Sequence, residues 1–381
     1  MTRAVPHSDR VSKRSLVFLW KIFGPMHADR CDAVARLYGP KAHVAGLELL
    51  SRSEVYAWDS EARASFDKTT LFPQAAKRLG VLKHLREIAR FRARHPNSDW
   101  FMCHYERPEM LLAAWYLRLR GHRVFTMGCS KFDDLPRKVW REWTKSLYLR
   151  PYHGAIGSGI RSVGYFRFLG LGKRPVVGEH NTVSLARIRA LSNTAPALGG
   201  LPFAERHFTI VARLVPKKNL AMALRAYAQY RASAVSPRPL HLCGSGSLEA
   251  ELRALAQSLG IDTHVTFHGF VQTADVAKIL GSTLALLLPS VEEQFGNVVI
   301  EAQAMGLPVI LSDSCGARDL LVRIGVNGFV IEPDNPAGLA WCMSRMSDDE
   351  QTWTSMATAA AQSAEGGDVA KFAEAARELA P

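Results

Sequence analysis

Glu293 and Glu301 stand eight positions apart around Phe295-Gly296-Asn297. The run Thr283-Leu284-Ala285-Leu286-Leu287-Leu288-Pro289 before them reads as a buried parallel strand, and Val298 through Met305, closed by Gly306, reads as a helix. Phe295-Gly296-Asn297 therefore lies where a strand hands over to a helix N-terminus. In open α/β sheets that edge binds ligands, and the free N–H groups and dipole of a helix start favour an anion. Glu293 sits in the loop and Glu301 about one turn into the helix, so two carboxylates flank the anion position. Each can accept paired hydrogen bonds from vicinal hydroxyls.

That combination suits a ligand with hydroxyls on both sides of a phosphate, such as a sugar nucleotide. In isolation, Glu-x7-Glu reads more simply as one solvated loop residue and one helix carboxylate. A second cluster shifts the balance. His207-Phe208-Thr209-Ile210-Val211-Ala212 reads as a strand, Leu220 to Tyr230 as a helix, and Arg213 and Lys218 bracket the short loop between them. Two fixed cations at such an edge can hold a diphosphate, arginine through its fork and lysine as a point charge. Alone, the same loop would be an ordinary solvated basic turn.

Taken together, residues 207 to 345 resemble the retaining glycosyltransferases of family 4, the glycosyl transferases group 1, which have the GT-B fold. The resemblance rests on the strand ending in Arg-x4-Lys, the turn Cys243-Gly244-Ser245-Gly246-Ser247, the strand Val265 to Val271, the Glu-x7-Glu block, and Gly306-Leu307-Pro308-Val309-Ile310. It implies two Rossmann-like domains with parallel sheets facing across a cleft. It also implies a catalytic set of Arg213, Lys218 and Glu293, the first two on the donor diphosphate and Glu293 on the sugar hydroxyls. The implied donor-binding set is Gly244, Phe270, Val271, Phe295, Gly296, Asn297, Val298 and Glu301, with Glu301 on the ribose and Phe270 and Val271 bordering the base. No cofactor and no essential metal are expected, since Asp133-Asp134 is not a DxD motif.

The chain of 381 residues suits two domains. Residues 1–200 read as an N-terminal acceptor-binding domain, 201–360 as a nucleotide-sugar domain, and 361–381 as a helix that by the resemblance crosses back to the first. Six cysteines lack metal-ligand spacing and suit reduced thiols in the cytosol. Residues 1–200 hold 34 Lys and Arg against 16 Asp and Glu, whereas residues 201–381 hold 14 against 19, so the whole net charge of +13 originates in the first half. Such asymmetry points to an anionic partner, a membrane surface or a lipid-diphosphate acceptor. Nucleic acid fits the charge, but no helix-turn-helix, RNP or zinc-finger pattern accompanies it. The expected location is cytoplasmic, with peripheral contact at the inner face of the plasma membrane.

In the first half strands alternate with helices, which implies a parallel sheet covered on both faces. Strands read at 15–23, 42–48, 100–103, 123–127, 154–157 and 174–177, and helices at 27–38, 108–120, from Pro136, and at 160–169; 179–202 reads as linker. Lys77 to Arg92 reads as an amphipathic helix with Leu82, Leu85, Ile88, Ala89 and Phe91 on its apolar side. Taken singly, Trp140 and Trp143 read as core residues, while their basic neighbours keep a headgroup-facing surface open. Phe23-Gly24-Pro25-Met26-His27 departs from the family's glycine-rich first loop, and Ser130-Lys131-Phe132-Asp133-Asp134 stands where many relatives place a histidine near the sugar. Gly24, His27, Lys131 and Asp133 are the candidate cleft residues, with His27 either touching acceptor or phosphate or capping its helix. Asp134 reads as a helix N-cap. Sugar-nucleotide 2-epimerases of the same architecture and non-catalytic subunits of glycan-assembly complexes remain alternatives.

Overall fold

The computed structural model describes residues 13–51, 65–73, 80–134 and 136–381. The basic N-terminal residues, Lys77 to Leu79 of the amphipathic segment and Leu135 lie outside the described residues. The first domain runs β1 (Ser15–Trp20), α1 (Pro25–Tyr38), β2 (His43–Leu50), β3 (Asp67–Phe72), α2 (Val81–Arg94), β4 (Ser98–Cys103), α3 (Pro108–Leu119), β5 (Arg123–Gly128), α4 (Val139–Tyr148), β6 (Gly154–Gly157), α5 (Gly159–Phe166) and β7 (Val176–Val177). The second runs α6 (Leu185–Ser192), β8 (His207–Val211), α7 (Leu220–Ser233), β9 (Leu240–Cys243), α8 (Glu249–Ser258), β10 (Val265–Phe267), α9 (Thr273–Gly281), β11 (Thr283–Leu288), α10 (Asn297–Ala304), β12 (Val309–Ser312), α11 (Arg318–Leu321), β13 (Gly328–Ile331), α12 (Pro336–Asp348) and α13 (Glu350–Ser363). A final helix, α14 (Val369–Leu379), packs on α1 and adds Phe372, Ala376 and Leu379 to the first domain's core.

Both sheets are wholly parallel, in the orders β3-β2-β1-β4-β5-β6-β7 and β10-β9-β8-β11-β12-β13. Helices cover both faces, so the central strands are apolar without alternation; every residue of β1 and β11 is buried. In each sheet the strand order reverses beside its first strand, between β1 and β4 and between β8 and β11. Loops leaving those strands diverge to opposite faces and open a crevice at the carboxyl ends.

Several local expectations shift. β3 escapes the sequence pattern because Asp-Lys-Thr-Thr-Leu-Phe is a half-exposed edge strand with little apolar alternation. The first strand stops at Trp20, since the chain turns there and Phe23 N–H donates to Glu48 at 2.8 Å. On α2 the buried stripe is His84, Ile88 and Phe91, leaving Leu82 exposed. The helix expected from Pro136 begins at Val139, because Asp134 accepts the Lys131 N–H at 2.8 Å, closes its own short turn and caps nothing. Trp140 and Trp143 are exposed and belong to no core. The stretch 179–202 carries α6, which packs on α9 and α10. All six cysteines are free. Among the described residues no helix is long and apolar enough to cross a membrane.

A row of histidines crosses the second sheet. His207 and His241 stack at 3.7 Å between ring centroids, and His241 Nδ1 lies 3.2 Å from His268 Nε2. Burial, and then the neighbouring imidazole, pushes both His207 and His241 down to about 4. Unfolded imidazoles protonate near ~6.5, so on acidification the unfolded chain takes up protons first. Stability present above that pH is lost as pH falls toward 4. Thermal melts should therefore show Tm falling between neutral pH and pH 4.5, and falling less in a His207→Gln/His241→Gln variant; an equal fall in both would refute the assignment.

Candidate active site

The loops that leave β8 and β11 carry the two clusters singled out in the sequence, so the switch point of the second sheet is where they meet. The β8 loop bends through a short turn over Pro216–Lys218 and enters α7 at Asn219. Asn219, at φ +56°, anchors that bend by donating its side-chain amide to the carbonyls of Pro289 and Pro333. Lys218 forms an ion pair with Glu293, which leaves β11 on the neighbouring strand. The cation assigned to a diphosphate and the carboxylate assigned to sugar hydroxyls are thus already in contact. Arg213 lies half-buried in the same loop.

Gly244 and Gly246 allow that loop to sit where it does. Leu214 N–H donates to Ser245 at 2.9 Å, locking the two turns together. A Cβ on Gly244 would lie 1.9 Å from the Ala212 carbonyl oxygen, and one on Gly246 2.4 Å from that of Leu214. Gly244 N–H also donates to Gly269 at 2.7 Å, bringing the following Phe270, which is exposed, and Val271, half-buried, to the same edge.

Gly296 caps α10 at φ +100°, a conformation that glycine adopts without strain, and the first N–H groups of the helix, from Asn297 and Val298, lie at the crevice. The Phe295 side chain is buried in the second domain's core, so only its backbone faces the loop. The Asn297 side chain reaches the first domain: its Oδ1 accepts from Asn181 at 2.8 Å, and its amide approaches Met26 Sδ at 3.2 Å. Glu301, one turn on, has its pKa raised by burial, with Arg187 opposing and Asp29 reinforcing the shift.

In the first domain, Gly24 caps α1, and its N–H donates to His27 Nδ1 at 2.9 Å. The His27 ring lies 4.6 Å from Trp20, and burial followed by the Arg30 charge holds its pKa well below the usual imidazole range. His27 is therefore neutral, with its proton on Nε2. Lys131, 1% exposed, does not reach the cleft cavity; its ammonium pairs with Asp133 at 2.9 Å. Asp133 in turn receives Arg161 at 2.7 Å, and Arg161 spans the domains to Asp319 at 2.5 Å and the Asp313 carbonyl at 3.0 Å. Burial would raise Asp133, but Lys131 and Arg161 outweigh it and hold its pKa low. In Asp134 burial wins and the pKa rises.

Asp134 faces a cavity of about 380 Å³ between the domains, lined also by Glu106, Arg137 and Lys145 from the first and Lys217 and Glu292 from the second. Three carboxylates and three cations make it a strongly polar chamber beside the Lys218–Glu293 pair. Gln294, on its wall, accepts from Cys129 Sγ at 2.9 Å and donates to Asp134 at 3.4 Å, a further polar tie across the cleft. Sequence reading missed Gln294, Arg161 and Asn181, whose partners across the cleft lie more than a hundred positions away. Among the described residues no group of three or more His, Cys, Asp or Glu is arranged to hold a metal.

Gly244→Ala combines a left-handed backbone with a clash against main chain, so it should cost roughly 3 kcal/mol or more in urea unfolding. Gly260→Ala, at φ +65° with open space around it, should cost about 1 kcal/mol. Equal losses at the two sites would contradict the interlocked turns.

Residues 200–363 match the family model described as Glycosyl transferases group 1. A glycosyltransferase of Methanocaldococcus jannaschii is 33% identical over 147 residues, covering 38% of this chain and 36% of its own. The D-inositol 3-phosphate glycosyltransferase of Streptomyces avermitilis is 35% identical over 216 residues, 54% of this chain and 46% of its own, and that of Streptomyces scabiei is 34% identical over 260 residues, 64% and 58%. The chain thus spans between 36% and 58% of the length of these relatives. Sucrose-phosphate synthase from Thermosynechococcus elongatus superposes with a TM-score of 0.73 at 18% identity, covering 96% of this chain and 98% of its own. HepE from Anabaena, solved with UDP and glucose, superposes with a TM-score of 0.68 at 19% identity over the same shares. Residues 200–363 are therefore a glycosyl transferases group 1 domain, and the chain around it has the two-sheet GT-B fold.

Proposed function

We propose that the chain is a retaining, metal-independent glycosyltransferase that moves a sugar from a nucleoside-diphosphate sugar to a hydroxyl of a glycan or lipid-linked acceptor, in cell-surface polysaccharide or glycolipid assembly. The observation that carries this reading is the meeting of Lys218 and Glu293 at the switch point, beside the N-terminus of α10. The names of the curated relatives and the UDP held by the Anabaena structures support a nucleotide-sugar donor.

In this reading an arriving diphosphate competes with Glu293 for Lys218. The lysine moves its charge to the phosphate, and the released carboxylate turns to the sugar hydroxyls. Glu301 takes the ribose hydroxyls. When the glycosidic C–O bond breaks, its electron pair leaves on the diphosphate, and Arg213, Lys218 and the N–H groups of Asn297 and Val298 meet that charge without rearranging. The acceptor hydroxyl attacks from the face the diphosphate leaves and gives its proton to a departing phosphate oxygen. Glu293 positions the sugar and forms no covalent intermediate, unlike the paired carboxylates of glycosidases. The acceptor occupies the polar chamber lined by Asp134, Arg137 and Lys145, and an anionic membrane surface is the partner of the basic first half.

Calorimetric titration with UDP, GDP and ADP should show micromolar binding of one of them. Lys218→Ala should weaken it by roughly ten- to a hundredfold, the range of one charge-assisted phosphate contact. A folded chain that binds none of the three would defeat the reading.

A further inference from the structure

Helix α4 has two unlike faces. One face holds Glu142 and Lys145 against Tyr165: the Tyr165 hydroxyl donates to Glu142 at 2.5 Å and accepts from Lys145 at 2.8 Å and from Arg137 at 2.9 Å. Arg137 and Lys145 also line the interdomain chamber. The other face carries Val139, Trp140 and Trp143, at positions i, i+1 and i+4, and they are 88%, 62% and 64% exposed. Two further exposed rings lie nearby, one of them over the same tyrosine. Phe132 lies 5.0 Å from the Tyr165 ring and 4.9 Å from that of Phe168, which is itself 61% exposed. At Gly170, two residues after Phe168, a Cβ would come within 3.8 Å of Ser146 on α4, so the segments abut.

Val139, Trp140 and Trp143 form an apolar surface on α4, and Phe132 and Phe168 are exposed on neighbouring segments. Its fringe is basic: Lys138, Arg141 and Arg167 are exposed, and the Arg141 guanidinium lies 5.3 Å from the Trp140 ring centre. Residues 136–178 hold nine Lys and Arg and one acidic residue, Glu142, which is buried. Exposed tryptophans beside cations, in a segment whose one carboxylate is buried, match the boundary between acyl chains and anionic headgroups.

We infer that the α4 face formed by Val139, Trp140 and Trp143 docks on an anionic lipid bilayer and holds the mouth of the interdomain chamber at headgroup level. This inference localises the membrane contact of the functional reading above and rests on that reading for what enters the chamber. Because α4 lines the chamber with one face and meets lipid with the other, an acceptor anchored in the bilayer reaches Arg137 and Lys145 without leaving its lipid. The inserted side chains are few and the fringe is charged, so attachment is reversible and depends on anionic lipid.

The test is sedimentation of the full chain with vesicles of phosphatidylcholine containing a minor share of phosphatidylglycerol, against phosphatidylcholine alone. The wild type should bind the anionic vesicles at least about tenfold more strongly, an advantage that two or three cations near the surface supply. Trp140→Ser/Trp143→Ser should lower that binding by about tenfold or more, with the circular dichroism spectrum unchanged. Lys138→Glu/Arg141→Glu should do the same while leaving the apolar face intact, and this guards against a folding defect in the tryptophan variant. Wild-type vesicle binding in both variants would overturn the inference. So would a wild-type dimer that the tryptophan variant turns into monomer with vesicle binding unaffected, since the face would then be a contact between copies. The vesicle assay contains no nucleotide. A chain that binds vesicles but no UDP, GDP or ADP keeps this inference and loses the transferase, and the converse result keeps the transferase alone.

Discussion

Arg161 holds together the two strand-end faces that make the cleft. It reaches Asp319 and the Asp313 carbonyl in the second domain while bonding Asp133 in its own, and Asp133 is held in turn by buried Lys131. A single guanidinium, planar and permanently charged, can satisfy two carboxylates and a carbonyl at once. The tie is supported by Asn181 on Asn297 and by Arg187 on Asp29, and α14 returns from the second domain to pack on α1. Polar ties between domains separate more readily than an apolar core would.

That geometry brings together the residues to which the proposed transfer chemistry is assigned. Each sheet offers its switch point to the same crevice. The second supplies the Lys218–Glu293 pair and the start of α10, while the first supplies His27 on its cap and Asp134 at the chamber wall. Neighbouring acids behave differently: Asp133 is fixed as an anion inside the tie, and Asp134, beside the chamber, has its pKa raised. His27 and His180 stay neutral because burial, reinforced by Arg30, makes their charged forms costly. In the proposed reading, donor chemistry and acceptor access are divided between the domains.

Much of this was legible in the sequence, and the physical reasons for success and failure differ by element. The strands that became β8 and β11, the loop cations and the start of α10 were readable because buried parallel strands are continuous apolar runs and glycine marks the turns. β3 was not, since an edge strand needs little apolar pattern. Asp134 looked like a cap because acid-x-proline precedes many helices, yet its carboxylate turned back on Lys131. Trp140 and Trp143 looked like core because most tryptophans are buried; their exposure is set by what lies opposite them, which a linear pattern does not encode. Arg161, Gln294 and Asn181 gave no local signal, because the bond by which each ties the cleft goes to a partner on the other domain.

The central claim is that the Lys218–Glu293 pair is the resting form of a diphosphate site. A crystal structure of the chain with its nucleoside diphosphate tests it most directly. The account predicts that the phosphates lie between Arg213, Lys218 and the first N–H groups of α10, with Lys218 drawn off Glu293 and the Glu293 carboxylate turned toward the sugar position. A nucleotide bound elsewhere, or one bound at the crevice with the Lys218–Glu293 pair still closed, would contradict it.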